Sequence, residues 1–516
     1  MTPTVRTLPE LVAFAAETFG EREAYVQPAT ARAPRRAVTF AELAEQVRAR
    51  ATALADLEVR RGDVVALVMA SSIEYATTYL AAAYLGAVTT GINPRLSPLQ
   101  QLDLLERVAP TVVVVDSETT VEAPCPVRLS TDLQPVSSHR IDAVHVLDDD
   151  PVAIVWTSGT TARPKGALFT TACLDAVSRG VDVLGVSGDR RLSPLPFAHV
   201  GYMTRVTSEL QLGITTVITP TPWSAAEAVA ILSAERITVA QGVPTQWALV
   251  LADPALATAD LSSLRIAGTG AAKMPATRVA ALRAALGVPV VVRYTSTESS
   301  LGCGTTPGDL DAVVARTVGR PVAGVERVVV DDDGVPCPPG AVGQVWLRSA
   351  ASMVGYIDVV ERNDGCTVIH MDHELTATAK DAEGWIHTSD LGRVDEQGNL
   401  ELVGRLQELY QRGGYNVYPA EVEEALRTMG SVADACVLGV DDDVLGEVGV
   451  ACVVVAEGSA APTLVEIRAA LAPLVADYKR PDAVVVVDNL PLTAMSKVDR
   501  AALRPLAQAA ADRRRS

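Results

Sequence analysis

The sequence predicts an α/β fold: a large N-terminal domain of mixed and parallel sheets flanked by helices, with a β-rich subdomain, then a small α+β C-terminal domain. Three observations predict it. Between residues 60 and about 350, short Val/Ile-rich runs ("VVALVMA", "TVVVVD", "AIVWTSG", "PVVVRYTS") alternate with Ala/Leu/Glu/Arg segments at helical spacing. Buried parallel strands joined by crossover helices produce that alternation. After residue 320 the runs "VERVVVDDDGVPCPPGAVGQVWLRS" and "GNLELVGR" are broken by Asp-Gly and Pro-Gly, which reads as hairpins. Beyond residue 405, "AEVEEALRTMG", "VADACVLGVDDDVLGEVGVACVVVAEG", a further helical stretch and "PDAVVVVDNLP" suffice for a separate domain. The expected boundaries are 1–405 and 406–516, since 516 residues are too many for one ordinary core.

Composition narrows the function classes. The net charge of −18 would repel a phosphate backbone, so nucleic acid is not an expected partner, and "ADRRRS" reads as a solvated tail. No run of about 20 uninterrupted apolar residues occurs, and "MTPTVRTLPE" lacks a charged region followed by an apolar one. A cytoplasmic protein without membrane insertion is expected; a homodimer is one assembly open to it. The 7 cysteines are odd in number, scattered and never in a CxxC arrangement, which argues against a disulfide framework or a zinc site.

The chemistry concentrates in "TSGTTARPKG", residues 157–166, directly after the apolar run "PVAIVW". Its hydroxyls and cations suit an anion. A phosphate loop of the GxxxxGK[ST] type would place Lys165 correctly from Gly159, but Pro164 stands where its second glycine belongs and Gly166 where its metal-binding hydroxyl belongs. What remains is a hydroxyl-rich loop after a strand, able to wrap polyphosphate with Ser158, Thr160, Thr161 and Lys165; a polar surface turn is its bland rival.

This loop resembles the TSGTTGxPKG signature of the adenylate-forming enzymes, a superfamily that includes acyl-CoA synthetases, nonribosomal adenylation domains and luciferases. "YTSTES" (294–299) resembles its YGxTE motif, and "GWIHTSDLG" (384–392) its GWxxTGDxG. "GRLQELYQRGGYNVYPAEVE" (404–423) is similar to its hinge and GGxNVxPxEVE segment, and "PLTAMSKVDR" (491–500) to its PxTxxGKxxR. Weaker echoes are "INPRLSP", "PLPFAHVG" and "GTGAAKMP". The motifs fall in the family's order across almost the whole chain.

The resemblance implies an ATP-dependent carboxylate–CoA ligase that makes an acyl-adenylate, with ATP, Mg²⁺, CoA and a carboxylic acid as its small molecules. It implies that Thr157, Ser158, Gly159, Thr160, Thr161 and Lys165 hold the β and γ phosphates, that Thr297 contacts the α-phosphate, and that Glu298 holds Mg²⁺. Tyr294 would stack on adenine beside Gly270, and Asp390 would accept from the ribose hydroxyls with Arg405 next to it. Lys497, delivered by a mobile C-terminal domain turning about Gln407, would bridge the acid and the α-phosphate. Gly413 and Gly414 would let the backbone approach the pantetheine arm of CoA, since glycine has no Cβ. The acid pocket would include His199, Gly268, Thr269 and Ala271. On their own residues, Lys497 reads as a surface lysine, Asp390 and Glu298 as caps, and His199 as a packed core residue.

Four motif glycines are replaced, by Ala162, Thr295, Ser389 and Ser496, and a Cβ at a position needing positive φ costs about 1–2 kcal/mol. Gln407 stands where relatives carry Asp or Lys. These departures motivate a second reading, an amide synthetase using the same adenylation chemistry; a silent nucleotide-binding protein is a third. Roughly a dozen residues appear inserted between "GY" and "GW", where His370, Asp372 and His373 could be imagined as metal ligands but read as solvated polar residues.

Overall fold

The computed structural model describes residues 6–514 except 32, 137–140, 158–163, 181–182, 271–273, 275, 364–365 and 494–497. The chain divides into two compact units, Met1–Arg327 with Trp346–His387, and Val328–Val345 with Thr388–Ser516.

In the first unit, one sheet runs, among the described residues, in the order Val127–Leu129, Val112–Val115, Val64–Val68, Val88–Gly91, Pro151–Thr157, Lys165–Thr170, Gly355–Asn363, Cys366–Met371. The strands from Val127–Leu129 to Pro151–Thr157 pair in parallel, and the remaining pairings are antiparallel. Val64–Val68 and Val112–Val115 are buried along their whole length, as a parallel strand covered on both faces must be. The second sheet has a parallel centre of Val290–Tyr294, Ile266–Gly270, Val239–Gly242, Arg190–Ser193, Thr215–Ile218 and Glu23–Gln27, with antiparallel strands at its edges.

Helices start where the sequence supplies caps. Thr39 Oγ1 accepts from the Glu42 N–H at 3.2 Å while the Glu42 carboxylate accepts from the Thr39 N–H at 2.8 Å, opening helix Phe40–Asp56. Ser72 caps helix Ile73–Tyr84 in the same sense, accepting from the Tyr75 N–H. The apolar faces of both helices join one buried cluster with Leu67, Ala153 and Phe169. Strand C-terminal ends bring Thr157, Gly242, Gly270 and Tyr294 to the places where open α/β sheets carry their ligands.

The second unit contains the antiparallel pair Val432–Asp442 and Gly446–Val455, joined by Ala483–Val486 in parallel and by Tyr410–Arg412, which pairs with Tyr415–Val417. Period-two alternation sorts its core: Ala435, Val437, Ala451 and Val453 pack with Ile467 and Leu471, while Cys436, Leu438, Val450 and Cys452 pack with Leu503 and Ala507. Strand Trp385–Val394 pairs antiparallel with Leu400–Arg405, setting Asp390 opposite Arg405.

Between "GY" and "GW" the described residues form strands and a helix. Gly355–Asn363 and Cys366–Met371 extend the first sheet as an antiparallel pair, and helix His373–Ala377 follows. His370 Nε2 sits 3.4 Å from a Glu361 carboxylate oxygen, and Asp372 caps the helix by accepting from the Leu375 N–H at 2.8 Å. Among the described residues no group of three His, Cys, Asp or Glu side chains could hold a metal ion, and no helix is long and apolar enough to cross a membrane.

Candidate active site

Strands Pro151–Thr157 and Lys165–Thr170 pair with Thr157 directly opposite Lys165, so the sheet itself closes the hydroxyl-rich loop. Thr157 is buried, and its Oγ1 has no hydrogen-bond partner among the described residues. Arg107 holds the end of the loop, donating from Nη1 to the Pro164 carbonyl at 2.8 Å while its guanidinium lies 5.0 Å from the Trp156 ring. Gly166 is required for space: a Cβ there would come within 2.8 Å of Ile357.

Lys165 leads to the second motif. Its Nζ lies 5.3 Å from the centre of the Tyr356 ring, and the Tyr356 hydroxyl donates to Glu298 Oε1 at 2.7 Å. Burial first, and the Glu298 carboxylate second, push the Tyr356 phenol far above the usual tyrosine range, so it stays a donor. The first-unit residues thus draw the loop, the "GY" pair and "YTSTES" together, leaving a lysine ammonium and a carboxylate on either side of one phenol.

Tyr294 ends its strand opposite Cys303. The turn after it is held by reciprocal bonds in which the Ser296 N–H donates to Ser299 Oγ at 3.1 Å and the Ser299 N–H donates to Ser296 Oγ at 3.2 Å. Thr297 lies inside that turn. Thr295 is not among the positive-φ residues, so the glycine replaced there is not needed for its backbone. Gly302 is needed: a Cβ would lie 2.2 Å from the Tyr294 carbonyl oxygen. At Gly270 it would lie 2.7 Å from the Arg293 carbonyl oxygen.

Thr269 is buried, with an Oγ1 that has no partner among the described residues. The Gly268 carbonyl accepts from Trp247 Nε1 at 3.1 Å, and Trp247 lines an apolar recess with Leu192, Trp223, Gln241, Gly242 and Gln246. His199 is partly exposed rather than a core residue, and it caps helix Val200–Met203 with Nδ1 accepting from the Gly201 N–H at 3.1 Å. Next to it, Phe197 and Tyr202 stack with ring centres 3.7 Å apart.

In the second unit, Arg405 Nε donates to Asp390 Oδ1 at 3.0 Å, and Asp390 is buried. Ser389, one of the four glycine replacements, has φ +59°. Gln407 is exposed in the turn just after strand Leu400–Arg405. Gly413 and Gly414 form the hairpin tip before Tyr415–Val417 with φ +56° and +83°. A Cβ would meet nothing within 4 Å at Gly414, so the left-handed backbone, not space, calls for glycine there. Ser158, Gly159, Thr160, Thr161, Ala162, Ala271, Ser496 and Lys497 lie outside the described residues.

Tyr356, Arg107 and Trp247 were not singled out by sequence reasoning. Tyr356 carried a usable signal, an aromatic beside a glycine at the start of the inserted stretch; Arg107 and Trp247 are ordinary helix residues whose partners arrive only through the fold.

A strand-end loop rich in hydroxyls, with Lys165 and Glu298 both held by Tyr356, is the arrangement expected of an enzyme that handles a nucleotide. Residues 12–357 match the AMP-binding enzyme family and residues 421–497 the AMP-binding enzyme C-terminal domain, and the chain belongs to this family, in its acyl-CoA synthetase branch. It is 35% identical over 505 residues to 3-[(3aS,4S,7aS)-7a-methyl-1,5-dioxo-octahydro-1H-inden-4-yl]propanoyl:CoA ligase of Mycobacterium tuberculosis, covering 91% of this chain and 94% of that one. Among solved structures, it resembles o-succinylbenzoate CoA synthetase from Bacillus subtilis in complex with its acyl-adenylate intermediate (26% identity, TM-score 0.83, 96% of this chain and 97% of that one). It also resembles the amide bond synthetase McbA from Marinactinospora thermotolerans (28% identity, TM-score 0.83, 97% and 100%).

Proposed function

We propose that this chain joins a carboxylic acid to CoA through an acyl-adenylate. An acid oxygen attacks the α-phosphorus of ATP, the bond to pyrophosphate breaks, and the CoA thiol then displaces AMP from the acyl carbon. The observation that carries this reading is the Lys165–Tyr356–Glu298 constellation at the mouth of the loop, in a chain of the acyl-CoA synthetase branch.

Each residue has a physical task in it. Thr157, Ser158, Gly159, Thr160, Thr161 and Lys165 hold the β and γ phosphates, and the unpartnered Thr157 hydroxyl supports this. Thr297 donates to the α-phosphate. The Glu298 carboxylate fits Mg²⁺, because it is a hard oxygen donor with one oxygen held in place by Tyr356, and Mg²⁺ commonly takes one or two protein carboxylates plus substrate phosphates. When bound, that ion neutralises phosphate charge. Tyr294 stacks on adenine, with Gly270 leaving room beside it. Asp390 accepts from the ribose hydroxyls, steadied by Arg405.

Lys497 stabilises the charge that builds where the acid meets phosphorus; loss of such a contact costs about 10²–10³ in rate. His199, Gly268, Thr269 and Ala271 surround the acid. Residues 406–516 turn about Gln407 between the half-reactions, bringing Gly413 and Gly414 to the pantetheine arm.

Pyrophosphate release with a panel of carboxylic acids, with and without CoA, tests the reading. Thioester formation dependent on CoA is expected. Pyrophosphate release with no thioester, but with acylation of an added amine, would transfer the assignment to an amide synthetase. The Lys497→Ala variant should lose adenylate formation and keep thioester formation from supplied acyl-adenylate; equal loss of both refutes the role given to Lys497.

A further inference from the structure

The stretch between "GY" and "GW" does more than widen a sheet. Lys380, just past helix His373–Ala377, donates from Nζ to the Met353 carbonyl at 2.8 Å. The Met353 N–H donates in turn to the Glu298 carbonyl, also at 2.8 Å. From the same stretch, Thr376 Oγ1 accepts from the Tyr356 N–H at 2.9 Å, and Tyr356 is the residue whose hydroxyl holds the Glu298 carboxylate. Glu298 is therefore gripped at its backbone and at its side chain, and both grips are anchored within residues 373–380.

Packing alone does not ask for a lysine at this position. Met353 is fully buried and Lys380 partly so, and burial pulls the Lys380 ammonium below the usual lysine range. Taking a cation out of water is costly unless it is well bonded, so an apolar side chain of similar length would be the better filler. What the lysine adds is a directed bond to one carbonyl, and that carbonyl belongs to the residue holding Glu298.

We propose that Lys380 is a positioning residue, which sets the Glu298 carboxylate for Mg²⁺·ATP by fixing Met353. This rests on the reading of Glu298 as the Mg²⁺ carboxylate. The arrangement acts on the metal-linked part of nucleotide binding and leaves the contacts to adenine, ribose and thiol untouched.

The test is calorimetric titration of the full chain with a non-hydrolysable ATP analogue, with Mg²⁺ and with a chelator, beside thermal melting. In the Lys380→Met variant the affinity gained from Mg²⁺ should fall about tenfold, the equivalent of ~1.4 kcal/mol. Metal-free affinity, and thioester formation from supplied acyl-adenylate, should stay at the wild-type level. Lys380→Gln, which keeps a neutral donor, should recover most of the loss. Should the methionine variant fail to fold, Thr376→Val removes the other anchor and should show the same selective loss. An equal loss with and without Mg²⁺, or none, overturns the proposal while leaving Glu298 its role. If Mg²⁺ adds nothing to the wild-type chain, the Glu298 reading falls and this inference with it.

Discussion

Ser389 stands where the family motif has glycine, and its φ of +59° makes the cost of that exchange measurable. The backbone cannot relax away from it easily: the Leu406 N–H donates to the Ser389 carbonyl at 2.8 Å, and the next residue is tied through Asp390 to Arg405. A side chain held in the left-handed region costs about 1–2 kcal/mol. Returning glycine removes that cost but restores about 0.4–1 kcal/mol of unfolded-chain freedom. The Ser389→Gly variant should therefore be more stable by about 0.5–1 kcal/mol, and Ser389→Ala, which keeps the Cβ, should stay within about 0.5 kcal/mol of wild type. Scanning calorimetry should show the transition of the unit containing residues 388–516 moving up by about 1–4 °C in the glycine variant only. A glycine variant that melts with or below the alanine one would refute the claim that this backbone is strained.

Two further outcomes follow from the first unit. Burial acts upward on the Asp189 carboxyl and is the largest single influence, but Arg265, Thr238 and the Val186 N–H together outweigh it and hold the group below the usual aspartate range. A depressed folded value means stability that is present above the unfolded pKa of about 3.9 and lost as pH falls through the folded one; urea midpoints should drop below about pH 4 in wild type. The drop should flatten in Asp189→Asn, which costs about 1–3 kcal/mol at pH 7, and an unchanged acid slope would count against the assignment. In Gly302→Ala the new Cβ would meet the Tyr294 carbonyl at 2.2 Å, so the variant should lose about 1–3 kcal/mol and bind AMP more weakly by calorimetry; wild-type AMP affinity would detach Tyr294 from the nucleotide.

Much of this was legible in the sequence, for reasons that differ by element. The short, all-β-branched run Val112–Val115 reads as a buried strand by its length and residue type, and Thr39 with Glu42 writes a helix start in two residues. The motif side chains Lys165 and Glu298 were readable by type and order, yet their meeting was not, because Tyr356 reaches them from far along the chain. The inserted stretch was read by its polar ligands, whereas its strand character lies in the adjacent β-branched pairs Val359–Val360 and Val368–Ile369, which show no clean alternation among their charged and polar neighbours. At Gly413 and Gly414 the resemblance pointed to clearance for an approaching ligand, while the fold adds a torsional demand that no single-residue reading shows: both have positive φ.

Because Thr157 faces Lys165 across neighbouring strands, the backbone of the cation at the loop's exit is placed by sheet pairing, with Arg107 fixing the Pro164 carbonyl just before it. A substitution that shifts the register of these two strands would therefore move the ammonium itself.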